Sequence, residues 1–259
     1  RLPKLKLIVQ TASLKDHLDV AACTEHGIAV AAVRSGVSYS TVELTWALIL
    51  ASVRRVPYEV QQLKQGVWQT TVGTELRGKT LGIYGLGKIG GCVAQVGKAF
   101  GMKVSCWGQE ASKSMAREAG YEVPASRAAF LEDADIVSLH LRYKAETHGI
   151  ITAADLARMK RTALLVNTSR APLIQEGALA AALKQGRPGF AAVDVYEDEP
   201  VLGGNHPLLK LPNAICTPHL GGAVIEARGR RYEFAVDSIL GFASGKPVHV
   251  VNPEVLGRR

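Results

Sequence analysis

The hexapeptide Gly85-Leu86-Gly87-Lys88-Ile89-Gly90 has the spacing GxGxxG, and the chemistry open to such a turn is the holding of a pyrophosphate. A first glycine permits the tight turn, a second lets backbone approach the phosphates, and a third lets a helix pack on a strand. The free N–H groups and positive dipole end of that helix then face the anion. Here the β-type run Thr80 to Tyr84 precedes the turn and a helical stretch, Lys88 to Phe100, follows it. That context reads as a dinucleotide site rather than a glycine-rich turn alone. Three further segments place polar residues directly after apolar runs. Asn167-Thr168-Ser169-Arg170 follows Ala163 to Val166, the segment Asp194 to Pro200 follows Phe190 to Val193, and Pro218-His219-Leu220-Gly221-Gly222 follows Ala214 to Thr217. Singly, Arg170 reads as a surface charge, Glu199 as a loop acid and His219 as a helix cap. Their shared place at strand carboxyl ends, where open α/β sheets bind ligands, makes them a set.

These residues need a sheet to bring them to one edge. Short apolar runs alternate with helical periodicity along the chain, with further strands expected at Lys103 to Trp107 and Asp135 to His140. Helices are expected at Ala153 to Met159, Glu176 to Gln185 and Ala223 to Ala243. In the helix after the glycine turn, Ile89, Val93, Val96 and Phe100 recur at three- and four-residue steps and predict its buried face. Alternation of this kind predicts a doubly wound parallel α/β sheet over about 76–222. The first part differs: strands at Leu5 to Val9 and Ile28 to Val33 flank a helix at Asp19 to His26. A long helix from Ser40 to Gln65, with a kink or break at Pro57, then leads into the sheet. Two strands and one helix are too little to stand as an independent domain.

Composition narrows the function classes. The chain has 259 residues with 47% hydrophobic and 21% charged, ordinary globular values that exclude disordered and collagen-like readings. Its longest nearly apolar run, Leu44 to Val53, is short of the roughly 20 residues that a membrane span needs. Cys23, Cys92, Cys106 and Cys216 are scattered, without CxxC or metal-ligand spacing. Reduced thiols, no metal and a cytoplasmic location are the expectation. The net charge of +8 invites a nucleic-acid reading, but tight basic clusters occur only at Arg54-Arg55, Arg228 to Arg231 and Arg258-Arg259. Attraction of small anionic substrates fits better, and neither nucleic acid nor membrane is an expected partner.

On these residues the sequence resembles the D-isomer-specific 2-hydroxyacid dehydrogenases, along almost the whole chain. The likeness runs from Leu5-Lys6-Leu7-Ile8-Val9 through Glu43-Leu44-Thr45, Leu76-Arg77-Gly78-Lys79-Thr80, the glycine turn, Val137-Ser138-Leu139-His140 and the three strand-end segments. It implies a Rossmann-type domain at 46–222 and a smaller, incomplete α/β substrate domain at 1–45, to which 223–259 returns. It implies NAD or NADP as cofactor, with Gly85, Gly87, Lys88, Ile89, Gly90, Gly108, Gln109, His140, Thr168, Ser169, Asp194, Gly221 and Gly222 around it, and Asp194 facing the nicotinamide carboxamide. Arg170, Glu199 and His219 take the catalytic places. Arg170 would grip the substrate carboxylate and 2-oxo group with its forked guanidinium. His219 would exchange a proton with the substrate oxygen, oriented and kept protonated by Glu199. The formate-oxidising branch carries Gln in place of Glu199, which disfavours that branch. A homodimer is expected through the 40–65 helix, along Leu44, Ala47, Leu48, Ala51 and Leu63.

The chain also departs from the family pattern. Members usually carry further residues upstream, so the substrate pocket is expected to be incomplete here. The substrate loop after the first strand, Thr11 to Asp16, has no glycine, Ala171 and the Arg142-Tyr143 pair replace familiar residues, and Gln175 stands in place of an acidic helix cap. Gly108 occupies the position of the acid that holds the adenosine ribose in NAD-specific members, with Glu110 a possible substitute two residues on. Gln109 and Arg142 can meet a 2′-phosphate, so specificity is expected to be relaxed and to lean to NADP, and Gly108→Asp is expected to restore NAD preference. A dinucleotide-sensing, corepressor-like interaction protein on the same fold is the alternative, disfavoured by the lack of a Pro- or Ser-rich tail.

Overall fold

The computed structural model describes residues 2–11, 18–33 and 38–257; the glycine-free loop residues 12–17 and the Arg258-Arg259 pair lie outside them. The chain divides into two compact units, one of 1–37 with 223–259 and one of 38–222. In the smaller, β1 (Leu7–Gln10) and β2 (Ala29–Ala32) pair in parallel, with Leu7 opposite Ala29. Between them runs α1 (Val20–Glu25), whose cap Asp19 accepts the Ala22 N–H at 2.9 Å.

The larger unit begins with α2 (Tyr39–Val53) and α3 (Val56–Lys64), not with one long helix. The break is at Arg55, which turns left-handed (φ 56°). Pro57 therefore lies in the first turn of α3, where its missing N–H costs nothing. The boundary expected at 45/46 falls inside α2; the whole helix belongs to the larger unit, against whose sheet Val42, Trp46 and Ile49 are buried.

Then follow β3 (Thr80–Tyr84), α4 (Lys88–Ala99), β4 (Lys103–Trp107), α5 (Glu110–Glu118), α6 (Arg127–Asp133), β5 (Ile136–Leu139) and α7 (Ala153–Arg158). The unit closes with β6 (Leu164–Asn167), α8 (Ala178–Lys184), β7 (Phe190–Val193) and β8 (Ala214–Cys216). All six strands are parallel in the order β4-β3-β5-β6-β7-β8. The order reverses between β3 and β5, and that crevice is where doubly wound sheets bind ligands. Alternate residues of each strand feed two apolar layers. Leu81, Ile83, Leu164, Val166 and Ala192 join α2 and α4 on one face, while Val137, Leu139, Leu165, Ala191 and Val193 meet α6, α7 and α8 on the other. Strands buried on both faces read as continuous apolar runs, which is why they stand out in the sequence.

Three local expectations need correction. The buried face of α4 is Gly90, Val93, Ala94 and Gly97, while Phe100 is exposed. Small residues take that face because the helix lies hard on β3: a Cβ on Gly97 would stand 2.5 Å from Leu81 Cδ2. Gln175 caps no part of α8; its Oε1 accepts the Ala153 N–H at 3.1 Å, serving the start of α7 instead. On α2, Leu48 is buried and Leu44 packs partly inward. The apolar surface left open lies further on, at Val56, Val60, Leu63, Trp68 and Val72.

The chain returns to the smaller unit with α9 (Ile225–Ala243) and a tail. Buried Asn252 accepts the Val30 N–H at 2.8 Å and donates to Ile28 O and Thr24 Oγ1. Val251 and Ala32 N–H add bonds between the tail and β2, so the C-terminal segment completes what two strands and a helix lack. No helix among the described residues is long and apolar enough to cross a membrane.

Candidate active site

The glycine turn joins β3 to α4 at the crevice. Gly85 has φ +98°, and a Cβ there would stand 3.0 Å from the His140 carbonyl carbon, at the end of β5. A Cβ on Gly90 would stand 2.4 Å from Gly85 O and 3.3 Å from His140 Cβ. Both positions are closed by the protein's own backbone. Gly87 is the opposite: it is exposed, and a Cβ on it would meet nothing within 4 Å. As N-cap of α4, Gly87 offers no capping side chain, so the first turn at Lys88 and Ile89 presents backbone to whatever lies outside. A turn walled by protein on one side and bare at the helix start fits a pyrophosphate. Burial pushes the His140 imidazole down to about 4, so it is neutral at pH 7 and bonds Ser138 Oγ at 2.9 Å. No described side-chain group makes a metal cluster.

At the end of β4, Gly108 has φ +154°, and a Cβ there would crowd Ser112 Cβ at 3.1 Å. A side chain at 108, as in the Gly108→Asp change expected to restore NAD preference, is thus resisted by the backbone itself. Glu110 begins α5 and binds Arg117 at 2.9 Å, with Lys113 at 3.8 Å. Lys113 Nζ also sits 4.1 Å from the centroid of the Trp107 ring. Gln109, the N-cap of α5, and Arg142, beyond β5, are both exposed. Lys113 carried no signal in the sequence because it lies on a helix too polar to show its period.

The strand ends β6, β7 and β8 carry the other polar residues. His219 Nδ1 and Glu199 Oε2 are 2.5 Å apart. Burial alone would raise the Glu199 carboxyl. Hydrogen bonds from His219 and from the Tyr196 N–H (3.0 Å), with the charges of His219 and Arg170, outweigh it and hold the carboxyl below its ordinary value. Glu199 is therefore an acceptor at neutral pH, which puts a proton on His219 Nδ1 and leaves Nε2 as the ring's working atom. His219 itself is left-handed, φ 54°. Asp194, 1% exposed, holds that turn: Oδ1 accepts from Thr217 Oγ1 (2.6 Å) and Leu220 N–H (2.7 Å), and Oδ2 accepts from Gly221 N–H (2.8 Å). Its carboxylate is engaged within its own unit, a role the expected carboxamide contact did not include. Tyr196, unnoticed in the sequence, donates its hydroxyl to Thr217 O at 3.0 Å while its N–H holds Glu199.

Arg170 is half-buried and its Nη1 donates to Ser169 O at 2.5 Å. Asn167 fixes the loop beneath it, accepting the Ser169 N–H at 3.0 Å and donating to Arg170 O at 2.9 Å. Ser169 Oγ donates to Leu141 O at 2.8 Å, tying the ends of β5 and β6. Thr168 is buried, and Gly222, beyond Gly221, ends the larger unit.

Residues 46–221 match the model of the D-isomer specific 2-hydroxyacid dehydrogenase NAD binding domain. The chain is 40% identical, over 98% of its length and 78% of the relative's, to a glyoxylate reductase of Aeropyrum pernix. It superposes on a phosphoglycerate oxidoreductase from Vibrio cholerae O395 with TM-score 0.87 and 46% identity, covering 94% of this chain and 78% of that one. A D-lactate dehydrogenase from Aquifex aeolicus, complexed with NAD and lactic acid, gives TM-score 0.78 at 29% identity, covering 96% and 81%.

The glycine turn generates one expectation here. The Cβ of Gly87→Val meets no protein atom within 4 Å, so the variant should stay folded with a modest drop in unfolding midpoint from the poorer N-cap, yet it fills the space that a pyrophosphate needs. Calorimetry should then show dinucleotide affinity falling at least about tenfold, the equivalent of about 1.4 kcal/mol. Unchanged affinity would move the site elsewhere.

Proposed function

The chain belongs to the D-isomer specific 2-hydroxyacid dehydrogenase family, and we propose that its reaction is the interconversion of a small 2-oxo acid and its D-2-hydroxy acid by Arg170, Glu199 and His219. The observation that carries the proposal is the His219–Glu199 hydrogen bond of 2.5 Å at the strand ends. A nicotinamide dinucleotide, held at Gly85, Gly87 and Gly90, supplies hydride chemistry when bound. The protein's own residues do the rest. Arg170 binds the substrate carboxylate and steadies the 2-oxo oxygen through a forked, charge-assisted contact. His219 delivers from Nε2 the proton that this oxygen takes up on reduction, and recovers it on oxidation. Glu199 fixes the ring through Nδ1. The residues 1–37 and 223–259 are read as the portion of the substrate domain that this chain contains.

For the cofactor, a lean to NADP is supported by the bare backbone at Gly108 and the cation of Lys113 over Trp107. The pairing of Glu110 with Arg117 leaves the one nearby acid engaged elsewhere. Val56, Val60, Leu63, Trp68 and Val72 form an exposed apolar run, and a second copy of the chain is its proposed cover.

His219→Gln should lower turnover about 10²–10⁴-fold while dinucleotide affinity stays near the parent's. A variant that keeps more than half the parent rate ends the proton-transfer role. Cofactor choice is read from kcat/KM with NADPH and NADH: the parent should favour NADPH, and a large preference for NADH contradicts the lean. Because Gly108 resists a side chain, the informative change is Gln109→Asp, which adds an acceptor and a repelling charge at a compatible N-cap. It should move preference toward NADH by about tenfold. Light scattering should give twice the chain mass; the mass of a single chain at high concentration excludes the dimer.

A further inference from the structure

The peptide of Gly221 is gripped from both sides. Its N–H goes to Asp194, and its carbonyl accepts from Ser40 Oγ at 2.8 Å and Thr41 Oγ1 at 3.0 Å, at the start of α2. A Cβ on Gly221 would stand 3.3 Å from both Thr41 Oγ1 and Asp194 Oδ2, so a side chain here would press on both grips. One turn further along α2, Thr45 Oγ1 donates to Thr41 O at 2.7 Å and meets Thr168 Oγ1 at 2.8 Å. A hydroxyl has one proton. Thr45 gives its proton to Thr41 O, so the Thr168 hydroxyl must donate to Thr45. Thr41 gives its proton to Gly221 O, so Ser38 Oγ, 2.8 Å away, must donate to Thr41. The Thr45–Thr168 contact is buried. One turn of one helix thus holds two strand ends, that of β6 two residues before Arg170 and that of the segment two residues after His219.

We infer that Thr41 is a positioning residue for the reaction: its hydroxyl, through Gly221, sets the turn that carries His219, and its carbonyl, through Thr45 and Thr168, ties the same helix turn to the segment that carries Arg170. This rests on the reading of His219 as proton donor. The fold does not need these hydroxyls to seat α2, since Val42, Trp46, Leu48 and Ile49 bury its apolar face against the sheet. The geometry does need them. His219 is held in a left-handed conformation that persists only while its surroundings enforce it. Misplacing a catalytic group by about 1 Å can cost about 10²-fold in rate.

The test compares Thr41→Val, which keeps the shape and removes the hydroxyl, with Thr41→Ser, which keeps the hydroxyl. With Ser40 still in place, Thr41→Val should lose about tenfold in kcat and leave dinucleotide affinity unchanged, and Thr41→Ser should restore the rate. In a His219→Gln background, Thr41→Val should cost nothing more, because it acts through the imidazole. Nitrogen-15 NMR of histidine-labelled protein, with His219→Gln to assign the signal, should show the His219 Nδ1–H resonance displaced in Thr41→Val and recovered in Thr41→Ser. An undiminished kcat in Thr41→Val, a full tenfold loss without His219, or an unmoved Nδ1–H signal each overturns the inference. If the parent reduces no 2-oxo acid, the functional reading fails, and the NMR comparison alone still decides whether Thr41 holds His219.

Discussion

The carboxylate of Asp194 is the constraint on which the site depends. It is almost wholly buried at the end of β7 and accepts three hydrogen bonds, all from the segment 217–221. Hydrogen bonds to a charged group contribute about 1.5–3 kcal/mol each, against about 1–3 kcal/mol for one left-handed non-glycine residue. The three bonds satisfy the buried carboxylate and fix the segment around His219, which is held at φ 54°. With His219 set in this way, Glu199 meets its Nδ1, and Tyr196 holds Glu199 by its N–H and, by its hydroxyl, the carbonyl of Thr217 two residues before His219.

The same economy of contacts governs the other side of the crevice. Gly85 and Gly90 are required by the backbone of the turn and by His140, whereas Gly87 is required by nothing in the protein. Three glycines of one motif thus have two kinds of cause, and only the middle one points to a ligand. The close seat of α4 on β3, through Gly90 and Gly97, places the start of the helix at the sheet edge where β5 and β6 also end.

Most of the sheet was legible in the sequence because its strands are buried on both faces: Thr80–Tyr84, Lys103–Trp107 and Phe190–Val193 match their expected bounds, and the other three shift by one residue. The helices were less legible. α5 is a polar helix that buries only Ala116 and α6 is seven residues long, so neither offers a run of large apolar residues to mark it. The break expected at Pro57 falls two residues earlier, at the left-handed Arg55, because proline is tolerated in the first turn of the next helix. In α4 the pattern found Val93 at the centre of the buried face and Ile89 and Val96 at its edge, but missed the small residues Gly90, Ala94 and Gly97 that sit deepest, and Phe100 lies outside it. For the candidate site, residue types at strand ends named Arg170, Glu199 and His219. The groups that position them, Tyr196 and the hydroxyls of α2, look like ordinary side chains until the fold brings them within hydrogen-bonding distance. The conformation of Gly108 was equally hidden, because an absent carboxylate does not reveal the backbone that excludes it.

The account's central claim is that these residues serve a direct reduction at C2 of a 2-oxo acid. The most direct measurement supplies the protein with a small 2-oxo acid and a reduced nicotinamide dinucleotide carrying deuterium at C4, followed by isotope and chirality analysis of the product. The account predicts a D-2-hydroxy acid with deuterium on C2 and a solvent-derived proton on oxygen, formed by the parent protein and suppressed in His219→Gln. No 2-hydroxy acid, a product of the opposite configuration, or equal formation by His219→Gln would contradict it.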